Sequence, residues 1–318
     1  MRVPSYHLPL PAVSLGWSRA HEPGLVVPSG AEIVVDAPDC ANGQVKPGAS
    51  AKVIETIDWD QVDLISGPVY VEGARPGDVL QVDLLDVEVG RIGFSANYPG
   101  SGLLPDDFPD PWVYVWEVDR EWVPYVHDIS VPVEPMVGIV GCTPAAPGVH
   151  SSIPPLRTGG NMDAKHIGPG TTVYLPVEVE GALFGTGDPH AAQGDGEVGG
   201  SGIEVPMEIR MRLTVRRDLQ LDAPEYEVRR PLERPTAAAA GYYVTAGIGP
   251  DLYAASQGAV RRMIDRLTRT RGLEPIEAYE LCSVAMDLKI SEIVDHPNYV
   301  VSAYLPNDVF DEVRRSLG

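Results

Sequence analysis

Residues 207–215 read MEIRMRLTV, in which Met207, Ile209, Met211, Leu213 and Val215 alternate with Glu208, Arg210, Arg212 and Thr214. Successive side chains of a strand leave opposite faces, so this pattern is a strand with one dry and one wet face. Just upstream, residues 172–180 alternate again: Val173, Leu175, Val177 and Val179 share a face, and Pro176 on the other suggests an edge or a bulge. In residues 77–89 the pattern changes side midway. Leu80, Val82 and Leu84 share one face while Leu85, Val87 and Val89 share the other, which a bulge near Leu84 explains.

Short strands separated by Gly, Pro, Asn and Asp continue back to the start of the chain, the pattern of a sandwich-like sheet protein. With 33 Gly and 31 Pro in 318 residues, about one residue in five is a breaker, which favours a loop-rich β protein. Between residues 91 and 127 the chain carries five prolines and three glycines, with Trp112, Trp116 and Trp122 among them. This reads as a long excursion, part loop and part hairpin, covering a pocket or a partner surface. After the connection RRPLERPTAAAA at 229–240 the period switches to helix. Asp251 is the expected N-cap, Leu252, Ala255, Ala259, Met263 and Leu267 form the stripe, and Gly272 stops it. A second helix opens at Pro275, with Ile276, Tyr279, Cys282 and Met286 as its apolar stripe. The expected class is therefore mainly β (α+β). Residues 1–230 form a β-sandwich-like domain, and residues 231–318 a smaller helix-containing region packed on it.

Composition narrows the function. Twenty-four Lys and Arg stand against 45 Asp and Glu, a net charge of −21, which excludes a nucleic-acid or anionic-membrane surface. Arg261, Arg262, Arg266 and Arg269 read as a solvated or interface face of the first helix. Cys40, Cys142 and Cys282 are odd in number and form no CxxC pair, so no disulfide framework or thiolate zinc site is indicated. No signal-peptide core or long apolar run occurs, and a soluble cytoplasmic protein is expected. Cys142 has no base beside it and reads as a buried thiol. Ser151 and Ser152 follow His150 without a G-x-S-x-G elbow.

The chemistry concentrates in GALFGTGDPHAAQGDGEVGGSGIE at 181–204, which packs Asp188, His190, Gln193, Asp195, Glu197 and Glu204 among small residues. Glycines let several carboxylates converge, and converging carboxylates repel unless a cation or a shared proton intervenes. Asp188 and His190, two apart on an extended chain, leave one face and suit two ligands of one metal. Imidazole with carboxylates favours zinc over calcium or magnesium. Upstream, GGNMDAKH at 159–166 delivers Asn161, Asp163, Lys165 and His166. Asp163 is either a further ligand or a general base, and Asn161 an amide that orients substrate.

Five segments carry a resemblance: DCANGQV at 39–45, GPVYVEGARPGDVL at 67–80, GGNMDAKHI at 159–167, LPVEVEGALFGTGDPHAAQGDGEV at 175–198 and EAYELCSVAMDLKISEIVD at 277–295. Together they make the sequence resemble the acetamidase/formamidase family of amide hydrolases over nearly the whole chain. The resemblance implies hydrolysis of a short aliphatic amide to a carboxylate and ammonia by a soluble, metal-associated homo-oligomer. It implies a pocket lined by Asn161, Asp163, Asp188, His190, Gln193, Asp195 and Glu197, with Glu72 and Asp39 as additions. In the reading that follows, Asp188 and His190 hold a divalent ion, zinc or another such as calcium, with Asp163 or Glu197 as third ligand. Glu197, Asp195 or Asp163 moves the proton, and Asn161, Gln193 and Glu72 hold substrate. Backbone amides of the 199–202 turn, or the ion, meet the oxyanion. The rivals are a metal-free amidase or lactamase in which paired carboxylates activate water, and a non-catalytic binding protein on the same fold.

Overall fold

The computed structural model describes residues 6–229 and 239–316; all but the ends of the connection expected at 229–240 lies outside them. Two six-stranded sheets form the body. The first runs in the order Tyr6–Leu8, Ala31–Ala37, Met207–Arg216, Val79–Val89, Thr171–Pro176, Glu225–Val228. In the second, Gly159–Asn161, Met136–Cys142, Phe184–His190 and Ile65–Glu72 lie side by side, and both Val13–Ser14 and Leu25–Pro28 pair with Ile65–Glu72. Met207, Ile209, Met211 and Leu213 are all buried, and the dry face they form meets Val69, Val71, Val140 and Phe184 of the second sheet in one apolar cluster. The chain is thus mainly β, with a sandwich core.

The face change in Val79–Val89 is the expected bulge: Arg210 pairs with Asp86 but Met211 with Leu84, leaving Leu85 as the extra residue. The strand at Thr171–Pro176 departs from expectation. It ends at its proline, and it is not an edge, because Glu225–Val228 pairs outside it. Within the 91–127 excursion, Ile92–Asn97 pairs with Trp112–Glu117 in a hairpin, and Trp122–Pro124 pairs with Ser130–Pro132. The tryptophans are not an exposed patch. Trp116 is 1% exposed, its indole N–H donating to Ser95 Oγ at 2.8 Å, and Trp112 and Trp122 are half-buried.

A three-stranded sheet of Tyr242–Gly249, Tyr299–Pro306 and Asp287–Glu292 carries helix α1 (Leu252–Arg271). Asp251 caps α1 by accepting from the Ala254 amide at 2.8 Å, and Gly272 ends it at φ 68°. On its outer face Arg261 pairs with Asp107 and Arg266 lies over the Tyr243 ring. Helix α2 (Pro275–Ala285) opens at its proline as expected but has no single apolar stripe. Residues 278–285 are buried on every side, so the helix is a core element rather than an amphipathic one. Among the described residues no helix is long and apolar enough to cross a membrane.

Burying α2 whole strands one charge. Glu280 is 1% exposed, neither carboxylate oxygen has a partner among the described residues, and burial pushes its carboxyl from 4.5 to about 8. The folded state then keeps a proton that the unfolded chain releases. The resulting stability is complete below about pH 4.5 and is lost as pH rises through 8. At about 1.4 kcal/mol per pKa unit the loss is on the order of a few kcal/mol. Glu280→Gln is expected to flatten the decline and to exceed wild-type stability above pH 8 in denaturant unfolding. An unchanged decline in the variant would place its origin in other groups.

Candidate active site

The strand Phe184–His190 lies at the centre of the second sheet and delivers Asp188 and His190 at its end. Their side chains do meet, His190 Nε2 standing 3.1 Å from Asp188 Oδ1. The route is not plain alternation, because Asp188 takes a left-handed φ of 49°. Asp63, Asp163 and Glu197 also lie at positive φ, 49°, 44° and 40°. For residues with a Cβ this costs about 1–2 kcal/mol each, and such strain collects where function fixes the backbone.

His190 is wholly buried and held from both ring nitrogens. Nδ1 donates to Gln193 Oε1 at 2.7 Å, and Gln193 Nε2 in turn donates to the Asp163 carbonyl at 2.7 Å. That chain orients the ring, so that Nε2 faces Asp188 Oδ1 at 3.1 Å and Glu204 Oε2 at 3.0 Å. One N–H cannot serve both, and Glu204 Oε2 accepts no hydrogen bond. Asp163 Oδ1 is likewise buried without a partner. Gly138 lies against this group: a Cβ there would stand 2.4 Å from Asp163 Oδ1 and 2.6 Å from Asp188 Oδ2.

Five carboxylates, Asp63, Asp163, Asp188, Glu197 and Glu204, thus surround one imidazole. Burial, reinforced by the neighbouring carboxylates, raises Asp163 to about 7 and Asp63 to about 8. Asp188 and Glu197 are pushed up for the same reason. Burial opposes a charged His190, yet the Glu204 and Asp188 carboxylates outweigh it and hold its pKa well above the ordinary value. Such a centre needs cations or shared protons.

The donor set fits a divalent ion. One ligand atom each from Asp163, His190 and Glu197 lie within 4.8 Å of one another, and so do those of Cys40, Asp188 and Glu204. Ligands about 2.0–2.1 Å from a tetrahedral zinc are about 3.3 Å apart, and the contacts of that size which His190 Nε2 makes, 3.0 Å to Glu204 and 3.1 Å to Asp188, run across to the second set. Asp188 and His190, read from sequence as ligands of one ion, touch but fall in different sets.

The other expected site residues are placed as follows. Asn161 ends its strand two residues before Asp163, its Oδ1 buried and unpartnered. Asp195 is 38% exposed and turned to Lys165, 3.6 Å from Nζ, while its amide donates to Asp287 Oδ1. Glu72 is exposed at the far end of Ile65–Glu72, six residues or about 20 Å beyond Ser66, which pairs with Thr186; it does not join the cluster. Asp39 is buried beside Cys40 and accepts from the Gly43 amide. Of the four backbone amides of the 199–202 turn, expected to meet an oxyanion, three are engaged elsewhere. Gly199 N–H is engaged by Ser283 Oγ, Gly200 N–H by the Glu197 carbonyl and Gly202 N–H by Glu204 Oε1. Cys142 is buried with its thiol pushed up, an inert side chain.

Sequence reasoning missed the roles of Glu204, Asp63 and Cys40. Glu204 stood in the acidic run, Cys40 in DCANGQV, and Asp63 carried no signal. The excursion at 91–127 does abut the site, since Phe94 and Glu204 exchange backbone hydrogen bonds and Ser95 Oγ donates to the Gly202 carbonyl. Helix α2 grips the same loop through Ser283, which donates to the Ser201 carbonyl at 2.6 Å.

The profile of the Acetamidase/Formamidase family matches residues 16–152 and 145–312. The chain belongs to the acetamidase/formamidase family. Among relatives of this family member, a formamidase from Methylophilus methylotrophus is 27% identical over 90% of this chain and 86% of its own. Among solved structures, a gamma lactamase from Delftia acidovorans superposes with a TM-score of 0.87 at 26% identity, covering 95% of this chain and 90% of that one. An acetamidase from Bacillus halodurans gives 0.68 at 31% identity, over 96% and 99%. Family and neighbours together make the chain an amide hydrolase.

Proposed function

We propose that the chain hydrolyses a short aliphatic amide of the formamide or acetamide class to its carboxylate and ammonia. The observation that carries this is the convergence of Asp163, Asp188, Glu197 and Glu204 on the buried His190. A divalent ion bound there, zinc by its donor set, supplies positive charge that acidifies water and polarises a carbonyl.

The chain's own residues do the rest. Gln193 fixes the His190 ring and, through the Asp163 carbonyl, the turn carrying Asp163. Glu197 takes the proton of the attacking water and returns it to the departing nitrogen, which leaves poorly unless protonated. Asp195 is the weaker base, being committed to Lys165. The free Oδ1 of Asn161 accepts from the substrate amide N–H. The likeness to a gamma lactamase supports a cyclic amide as the second reading. A homo-oligomer of soluble, cytoplasmic subunits completes the proposal and rests on family membership.

The test is ammonia release from formamide, acetamide and propionamide, with ring opening of a small lactam followed alongside. Protein purified without chelator is expected to turn over at least one, to lose turnover on exhaustive chelation, and to recover it with zinc. Full activity in protein shown metal-free by elemental analysis would leave the carboxylates to activate water unaided. Inertness towards every substrate would overturn the amidase reading.

A further inference from the structure

The two donor sets share no residue, and each contains a buried carboxylate oxygen with no hydrogen bond: Asp163 Oδ1 in one, Glu204 Oε2 in the other. Glu204 is 2% exposed, and its remaining oxygen is clamped by Ser201 Oγ at 3.2 Å and the Gly202 amide at 2.9 Å. Oε2 is therefore aimed rigidly into the cluster. Cys40 is buried, and the Asp63 amide fixes its carbonyl at 2.8 Å. Asp188 stands between the sets, with Oδ1 towards His190 and Oδ2 on the Gly138 side, where Asp163 Oδ1 also lies.

A single divalent ion leaves most of this charge uncompensated. Five carboxylates and one thiol lie around one imidazole, and paired ions in hydrolytic centres sit about 3.5–4 Å apart with a carboxylate between them. We propose that the centre takes two cations side by side, the second held by Cys40, Asp188 and Glu204, with Asp188 shared between them. On binding, a metal–sulfur bond forms at Cys40 and the thiol proton passes to solvent. A thiolate ligand makes this position select zinc or cobalt over magnesium or calcium. The inference deepens the amidase reading and rests on it for its meaning, but not for its test.

The experiment is a cobalt(II) titration of the metal-stripped full chain, followed by absorption and by equilibrium metal content, with ammonia release measured on the same samples. Two cobalt ions per chain are expected, with a near-ultraviolet thiolate-to-cobalt charge-transfer band. Cys142 and Cys282 belong to neither set, so the band in the wild type already points to Cys40. Cys40→Ser should abolish the band and Glu204→Gln should lower the content to one ion. One cobalt per chain without a charge-transfer band, or a band that survives Cys40→Ser, overturns the proposal. Because these readouts need no turnover, inactivity towards amides with two bound ions would sink the substrate reading alone.

Discussion

Glu197→Gln is expected to lower kcat by about 10²–10⁴-fold, the range set by removing a positioned acid–base group. KM should move much less, because the substrate contacts proposed here come from Asn161 and the cation. The substitution keeps shape and hydrogen-bonding reach while removing the capacity to carry a proton at the operating pH. Local structure should survive, since Glu197 is held by its backbone: its amide donates to the Gly194 carbonyl and its carbonyl accepts from Gly200. The measurement is steady-state ammonia release beside a thermal melt. Near wild-type turnover in a normally folded variant would make Glu197 a structural group, neither base nor ligand, and transfer the proton work to Asp163 or Asp195.

What was legible in the sequence was whatever local period or spacing encodes. The strand at Met207–Arg216 faces water on one side, so burial wrote alternation into it, and the bulge at Leu85 appeared as a slip in that alternation. Helix α2 was placed by Pro275, but its packing was not read, because a helix buried all round has no polar face to set its phase. Trp116 stands in a proline-rich excursion whose sequence does not say what its rings cover, and only the Ser95 hydroxyl, brought opposite by the hairpin, satisfies its indole. Within the site, Asp188 and His190 were found through their proximity in the chain. Cys40 and Asp63 come from loops more than a hundred residues upstream, joined by the Asp63 amide to the Cys40 carbonyl, and no local pattern announces that meeting. Glu72 shows the converse: it lies in GPVYVEGARPGDVL, one of the segments that carry the resemblance, yet projects to solvent.

Gly138 offers a sharper probe of the cation centre than any ligand, because it contributes only the absence of a side chain. Its φ lies outside the left-handed region, so alanine is acceptable to the backbone and the conflict is one of space. The added Cβ would stand 2.4 Å from Asp163 Oδ1, 2.6 Å from Asp188 Oδ2 and 2.9 Å from the Asp188 carbonyl, all closer than carbon and oxygen approach. The two carboxylates can turn away more easily than the central strand Met136–Cys142 can move, so the strain falls on the site. Displacing reacting groups by about 1 Å costs on the order of 10² in rate, and disturbing the shell that orients ligands weakens metal affinity by about 10–100-fold. Gly138→Ala is therefore expected to lose about 10² in kcat/KM and to release its cation at correspondingly lower chelator concentration. Overpacking of about 1–3 kcal/mol is the accompanying stability loss. Cation affinity measured by competition with a fluorescent chelator decides the matter. If the variant binds as tightly as wild type, the carboxylates facing Gly138 do not hold the ion, and the donor set must be sought around Cys40 and Glu204 instead.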